Sequence, residues 1–171
     1  MNLWNKITST FKIYVPIADR ILEMAALAMT VGLLSFTFYL YQCAPEQLYV
    51  HFSHHNATVT EVHKIYFWFA AAFFLLLMLL SAWTAYHPNR INMPIRLKEA
   101  VFDRQKRYMS RMGRCLTLAF GLLWLSTLLN ASASFLKIKT FALIFEQISL
   151  ASLLIIVVYF STKIWWIGRK R

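Results

Sequence analysis

Between Ile65 and Tyr86 the chain carries no charged side chain, and its centre reads Phe73-Phe74-Leu75-Leu76-Leu77-Met78-Leu79-Leu80. A helix rising about 1.5 Å per residue crosses roughly 30 Å of hydrocarbon in about 20 apolar residues, so this run is long enough to span a bilayer. Three further stretches qualify. One covers residues 24–41 after Glu23, one covers 115–129 from Cys115, and one covers 140–162 with Glu146 as its single charge. None shows the broad polar face of a soluble amphipathic helix. The expected fold is therefore all-α: a four-transmembrane-helix bundle forming a single integral membrane domain over residues 1–171. Composition agrees, with 59% hydrophobic and 15% charged residues, against about 45–50% and about 25% in soluble domains. A chain of 171 residues has too little interior to absorb that surplus.

The charges orient the spans. Cytoplasmic loops collect Lys and Arg, and 15 of the 18 cations fall on one side of the four-span plan. They are Lys6, Lys12 and Arg20 before the first span, Arg90, Arg96, Lys98, Arg104, Lys106, Arg107, Arg111 and Arg114 between the second and third, and Lys163, Arg169, Lys170 and Arg171 at the end. Lys64, Lys137 and Lys139 are left for the other side. Both termini and a basic central loop are expected to be cytoplasmic, with residues 42–64 and 130–139 outside. The net charge of +11 is thus divided among three segments of one membrane face, which argues against a nucleic-acid partner. Attraction of that face to anionic lipid follows at about 1 kcal/mol per nearby cation.

Flanking aromatics fit the same plan. Tyr66 and Trp68 mark the outer end of the second span, Trp83 and Tyr86 its inner end, and Trp165 and Trp166 the inner end of the fourth. Indole and phenol rings favour the headgroup level. Leu3, Trp4, Ile7, Phe11 and Tyr14 recur at helical spacing, predicting a short N-terminal interfacial helix, with Pro16 starting the turn into the first span. The segment starts too late and too acidic to be a cleaved signal peptide. After Pro94 a second helix-like stretch places Val101, Tyr108 and Met112 against lipid or protein, and Arg104, Lys106 and Arg111 in water.

The outer loop gathers Glu46, His51, His54, His55, Glu61 and His63. Imidazole is a common ligand for divalent metals, so His51, His54, His55 and His63 are candidate metal ligands, with solvated or structural histidines as the alternative. No established zinc spacing is present. Glu146 lies about two turns inside the fourth span, where a carboxylate must face water, a partner or a hydrogen-bonding helix neighbour. A structural role is expected, either snorkelling to the outer headgroups or bonding Ser or Thr on an adjacent helix, with a proton or ion path as the alternative. Cys43 and Cys115 lie at opposite ends of the spans, too far apart for a disulfide, and Cys115 is a weak candidate for palmitoylation. Asn56-Ala57-Thr58 and Asn130-Ala131-Ser132 match the glycosylation sequon, which matters only in a eukaryotic secretory pathway. Nucleophile elbow, phosphate loop and paired carboxylates are all missing from the sequence, so the expectation is a protein without enzymatic activity.

Two polar segments carry a resemblance. The outer loop reads Ala44-Pro45-Glu46-Gln47-Leu48-Tyr49-Val50-His51-Phe52-Ser53 and is followed by Lys64. The central loop reads Pro88-Asn89-Arg90-Ile91-Asn92-Met93-Pro94-Ile95, and Asp19-Arg20-Ile21-Leu22-Glu23 precedes the first span. The chain resembles the bacterial membrane domain of unknown function related to the SdpI toxin-immunity proteins. Pro45, His51, Phe52 and Lys64 fall at that family's intervals, while Tyr49, Ser53, Asn56 and Val59 replace its second Pro, its Asn, its Gly and its Asp. The resemblance implies a multi-pass protein of the bacterial cytoplasmic (inner) membrane. It further implies that His51, Phe52, Asn56, Lys64 and Asn92 meet a ligand or partner; Glu146 is a further candidate from its place inside the fourth span.

The leading expectation is a non-enzymatic membrane protein that binds a membrane-active peptide or an envelope partner, in immunity or signalling. One alternative is a small transporter or metal-binding membrane protein using the outer histidines and Glu146, which as a four-span chain would need a homo-oligomer. Another is an accessory subunit of a membrane complex, with Ala70-Ala71-Ala72 and Gly121 allowing close helix contact.

Overall fold

The computed structural model describes residues 17–51, 59–87, 102–133 and 135–169. Four helices account for most of them: α1 Ile17–Cys43, α2 Tyr66–Tyr86, α3 Phe102–Ser132 and α4 Lys139–Arg169. All four are long and apolar enough to cross a membrane, as the uncharged runs require. Between α1 and α2 lies a two-stranded antiparallel hairpin, β1 Gln47–His51 and β2 Val59–His63, which the all-α expectation did not include. The expected N-terminal interfacial helix and the 90–100 part of the central loop lie outside the described residues.

Side-chain contacts fix the directions. Asp19 meets Arg111 and Glu23 meets Arg114, so α1 and α3 run parallel. Ser81 meets Thr117 and Ala85 meets Ser110, so α2 runs against α3. Gln105 reaches Ile164 while Asn130 reaches Glu146, so α4 also opposes α3. The bundle is up-down-up-down, with α3 packed against the other three helices. Half of α3's most apolar window is buried, compared with 11% for α1 and α4.

α3 is longer than its apolar run. Thirty-one residues give about 46 Å of helix, and its first turns contain Arg104, Lys106, Arg107, Arg111 and Arg114. The separate loop helix and third span expected from the sequence are one rod. Once backbone hydrogen bonding is continuous, a change from apolar to basic residues alters the face of the helix without ending it.

The core lies toward the hairpin end. Leu40, Phe67, Trp124 and Leu128 are fully buried there together with Leu48 of β1. Leu48 pairs with Val62 across the ladder, and both sit on the core, while Gln47, Glu61 and His63 are exposed. Alternation along a strand puts neighbouring side chains on opposite faces, so one face of the hairpin is seated on the bundle. At that end α3 closes into α4 through a turn in which Lys137 adopts a left-handed backbone (φ 57°).

Candidate functional site

Among the described residues of the 42–64 loop, the candidate positions are spread along the hairpin. In the ladder His51 pairs with Val59 and Gln47 with His63. The two described histidine positions are therefore four registers apart, about 13 Å at strand rise. His63 accepts a hydrogen bond at Nδ1 from the Ile65 amide (3.2 Å). Lys64 donates its backbone N–H to the Glu46 carbonyl (2.9 Å), closing the hairpin, and its Nζ lies 5.3 Å from the centre of the Tyr41 ring. Tyr41 in turn meets Trp68 edge-to-face, so Lys64 joins α1 to the start of α2. Phe52, His54, His55, Asn56 and Asn92 lie outside the described residues. Among the described residues no group of three metal-ligating side chains converges.

Glu146 accepts a 2.7 Å hydrogen bond from Asn130 Nδ2 of α3. The helix neighbour that bonds it is an amide rather than a Ser or Thr hydroxyl. One turn further along α4, Ser149 donates to the Phe145 carbonyl and approaches the Leu122 carbonyl. The contact thus ties α3 to α4 near the hairpin end. Of the aromatic positions, Trp68, Trp83, Trp165 and Trp166 are substantially exposed, whereas Tyr66 packs against the core.

The strongest polar constellation is at the opposite, basic end. Asp19 and Glu23 are one turn apart on α1, and Arg111 and Arg114 are one turn apart on α3, so the two pairs register along parallel helices. Arg111 Nε donates to Asp19 Oδ1 at 2.8 Å, and Arg114 Nε donates to Glu23 Oε1 at 2.8 Å. Arg114 Nη1 lies 3.8 Å from Asp19 Oδ2 and donates to Ser110 Oγ at 2.6 Å. Ser110 passes the connection to α2 by donating to the Ala85 carbonyl (2.6 Å). Tyr86 closes the group, with its ring 5.6 Å from the Arg114 guanidinium and its hydroxyl within reach of Glu23.

The Arg114 and Asp19 side chains are each 8% exposed, whereas Arg111 is 42% exposed. A buried charge without a partner costs several kcal/mol, so the exposed end of the cluster is replaceable and the buried end is not. Arg111, expected in water, is partly exposed, whereas Arg114, expected in the basic loop, is buried within α3. The one-turn spacing of Asp19 with Glu23 and of Arg111 with Arg114 is a signal present in the sequence, and it becomes decisive only because α1 and α3 pack in parallel.

One step deeper, Ser81 and Thr117 share a 2.9 Å hydrogen bond. The backbones are close there because α3 presents Gly113, where an added Cβ would stand 2.9 Å from Ala85 and from the Ser81 carbonyl oxygen. At Gly121 an added Cβ would collide with the Met29 thioether, and Ala70 and Ala71 are buried. The small residues thus serve contacts within this one chain.

Beside the charged seam, α1, α2 and α3 leave a cavity of about 200 Å³. Leu22, Ala26 and Thr30 line it from α1, and Leu75, Met78 and Ala82 from α2. Glu23, Tyr86 and Arg114 stand at one end. Leu27 and Leu79, both about 60% exposed, flank a lateral opening.

Compared with protein-family models, with curated proteins and with solved structures, the chain matches none.

Proposed function

We propose that this chain is a non-enzymatic, multi-pass protein of a bacterial cytoplasmic membrane, of the SdpI-related type, that captures a membrane-active peptide or an extended segment of an envelope partner. In this arrangement the termini and the basic end of α3 are cytoplasmic, and the hairpin faces outward. The observation that carries the reading is the hairpin itself. It is seated on the core through Leu48 and Val62, while its outer edges pair with no further strand among the described residues. An unpaired strand edge is a template for an incoming extended peptide. Pro45, His51 in β1 and Lys64 after β2 are also among the positions that carry the family resemblance.

A photo-crosslinking residue at Gln47 or Glu61 is expected to join a peptide partner in intact cells, whereas the same residue at Leu154 on the exposed face of α4 is not. Removing the gene is expected to sensitise cells to that peptide. Crosslinking that is equal at all three positions, or unchanged sensitivity, overturns the reading.

A further inference from the structure

The cavity between α1, α2 and α3 has dimensions that name its occupant. Along α1 its wall runs from Leu22 to Thr30, and along α2 from Leu75 to Tyr86. At helical rise these are about 12 Å and about 16 Å, close to half of the roughly 30 Å hydrocarbon layer. The cavity is therefore one leaflet deep. Its walls are apolar along that length apart from Thr30 and Thr117, whose hydroxyls donate to the Ala26 and Gly113 carbonyls of their own helices, and the charged groups stand only at the end. Leu27 and Leu79 flank an opening directed away from the bundle axis. A slot with this distribution of polarity matches one acyl chain under a headgroup.

Charge selects the headgroup. At this end α1 and α3 carry Arg20, Arg104, Lys106, Arg107, Arg111 and Arg114 against Asp19, Glu23 and Asp103. Glu23 and Asp19 are engaged by Arg114 and Arg111. Arg111 is 42% exposed and donates to Asp19 from Nε, and a guanidinium carries further N–H donors beyond that one. The charged groups at this end leave a surplus of three cations, and Arg111 lies one turn from Arg114, which stands at the end of the slot.

We propose that this slot is a binding site for an acidic phospholipid of the leaflet at the basic end, with one acyl chain between α1 and α2 and the phosphate beside Arg111. The peptide edge on the hairpin is at the opposite end, so failure of one site leaves the other intact.

The experiment is native mass spectrometry of the full chain, purified in a neutral detergent and offered equal phosphatidylglycerol and phosphatidylcholine. The expected result is retention of phosphatidylglycerol over phosphatidylcholine by about fivefold, the effect of one cation near an anionic headgroup. Ala82→Trp, which fills the slot from α2, is expected to abolish retention, and Ala26→Leu, a milder change from α1, to reduce it. Leu154→Trp on α4 is expected to change nothing, and Arg111→Gln to keep a bound lipid but remove the headgroup preference. Equal retention of both lipids by the unaltered chain overturns the proposal, as does undiminished retention by Ala26→Leu and Ala82→Trp. Loss in Leu154→Trp equal to that in Ala82→Trp overturns it too, because the lipid would then be general annular lipid. Should Ala82→Trp fail to fold, Ala26→Leu decides alone.

Discussion

At the hairpin end, Leu40, Leu48, Phe67, Trp124 and Leu128 are each 1% exposed or less, and helix meets helix through apolar side chains. At the basic end, α1 meets α3 through two arginines and two carboxylates, and α2 meets α3 through Ser81, Thr117 and Ser110. The first region is filled, whereas the second keeps a cavity. Apolar packing is non-directional and closes any gap that the side chains can reach. Charged contacts hold helices at the distance set by the longest side chain, here arginine. The same α1 is therefore buried at Leu33, Thr37 and Leu40, yet stands off from α2 beside Leu22 and Ala26.

The comparison breaks most severely at Arg114. Arg114→Leu would leave Asp19 and Glu23 without their shared cation, and removing one partner from a buried pair costs about 3–5 kcal/mol. Denaturation in mixed micelles is expected to show that loss, and combining it with Glu23→Leu is expected to recover part of it. If the double variant is no more stable than the single one, the two residues are not coupled.

Trp124→Ala tests the other end. Unfolding within a bilayer leaves apolar side chains in hydrocarbon, so the transfer contribution is small and the loss of packing remains. About 3 kcal/mol, the low end for a buried aromatic, is expected in the same measurement. A cost equal to that of Arg114→Leu would show the two ends to be energetically alike.

Gly113→Val is expected to cost about 1–3 kcal/mol by overpacking, because even a Cβ stands 2.9 Å from Ala85 and Ser81 backbone atoms. Increased protease access to α2 in proteoliposomes would accompany the separation. The smallest effect is expected from Ser81→Ala, at about 0.6 kcal/mol for one interhelical hydrogen bond between hydroxyls in a membrane. Thr117 keeps its bond to the Gly113 carbonyl, which is why the loss is small.

Legibility in the sequence followed the range of the interactions. Four spans could be read from Met24, Ile65, Cys115 and Thr140 onward, because the demand for apolar residues acts on each segment by itself. The hairpin was less visible, since Gln47-Leu48-Tyr49-Val50-His51 alternates only weakly. Its register depends on Leu48 finding the pocket beside Phe67 and Trp124. Glu146 was legible as a residue needing a partner, but Asn130 lies on another helix. The histidines were legible as a cluster along the chain, yet the hairpin register, with position 51 opposite 59 and position 63 opposite 47, holds 51 and 63 about 13 Å apart.

By itself the sequence determined how many times the chain can cross a membrane and which segments are basic, because both follow from residues adjacent in the chain. Tertiary structure alone decided that Asp19 answers to Arg111 and Glu23 to Arg114 across 92 and 91 residues. It also decided that α3 is the shared wall and that a cavity lined by α1, α2 and α3 stays open beside the charged seam. The physical reason is that hydrophobic demand is local and additive along the chain. Compensation of a buried charge is a property of two helices at a particular rotation and distance.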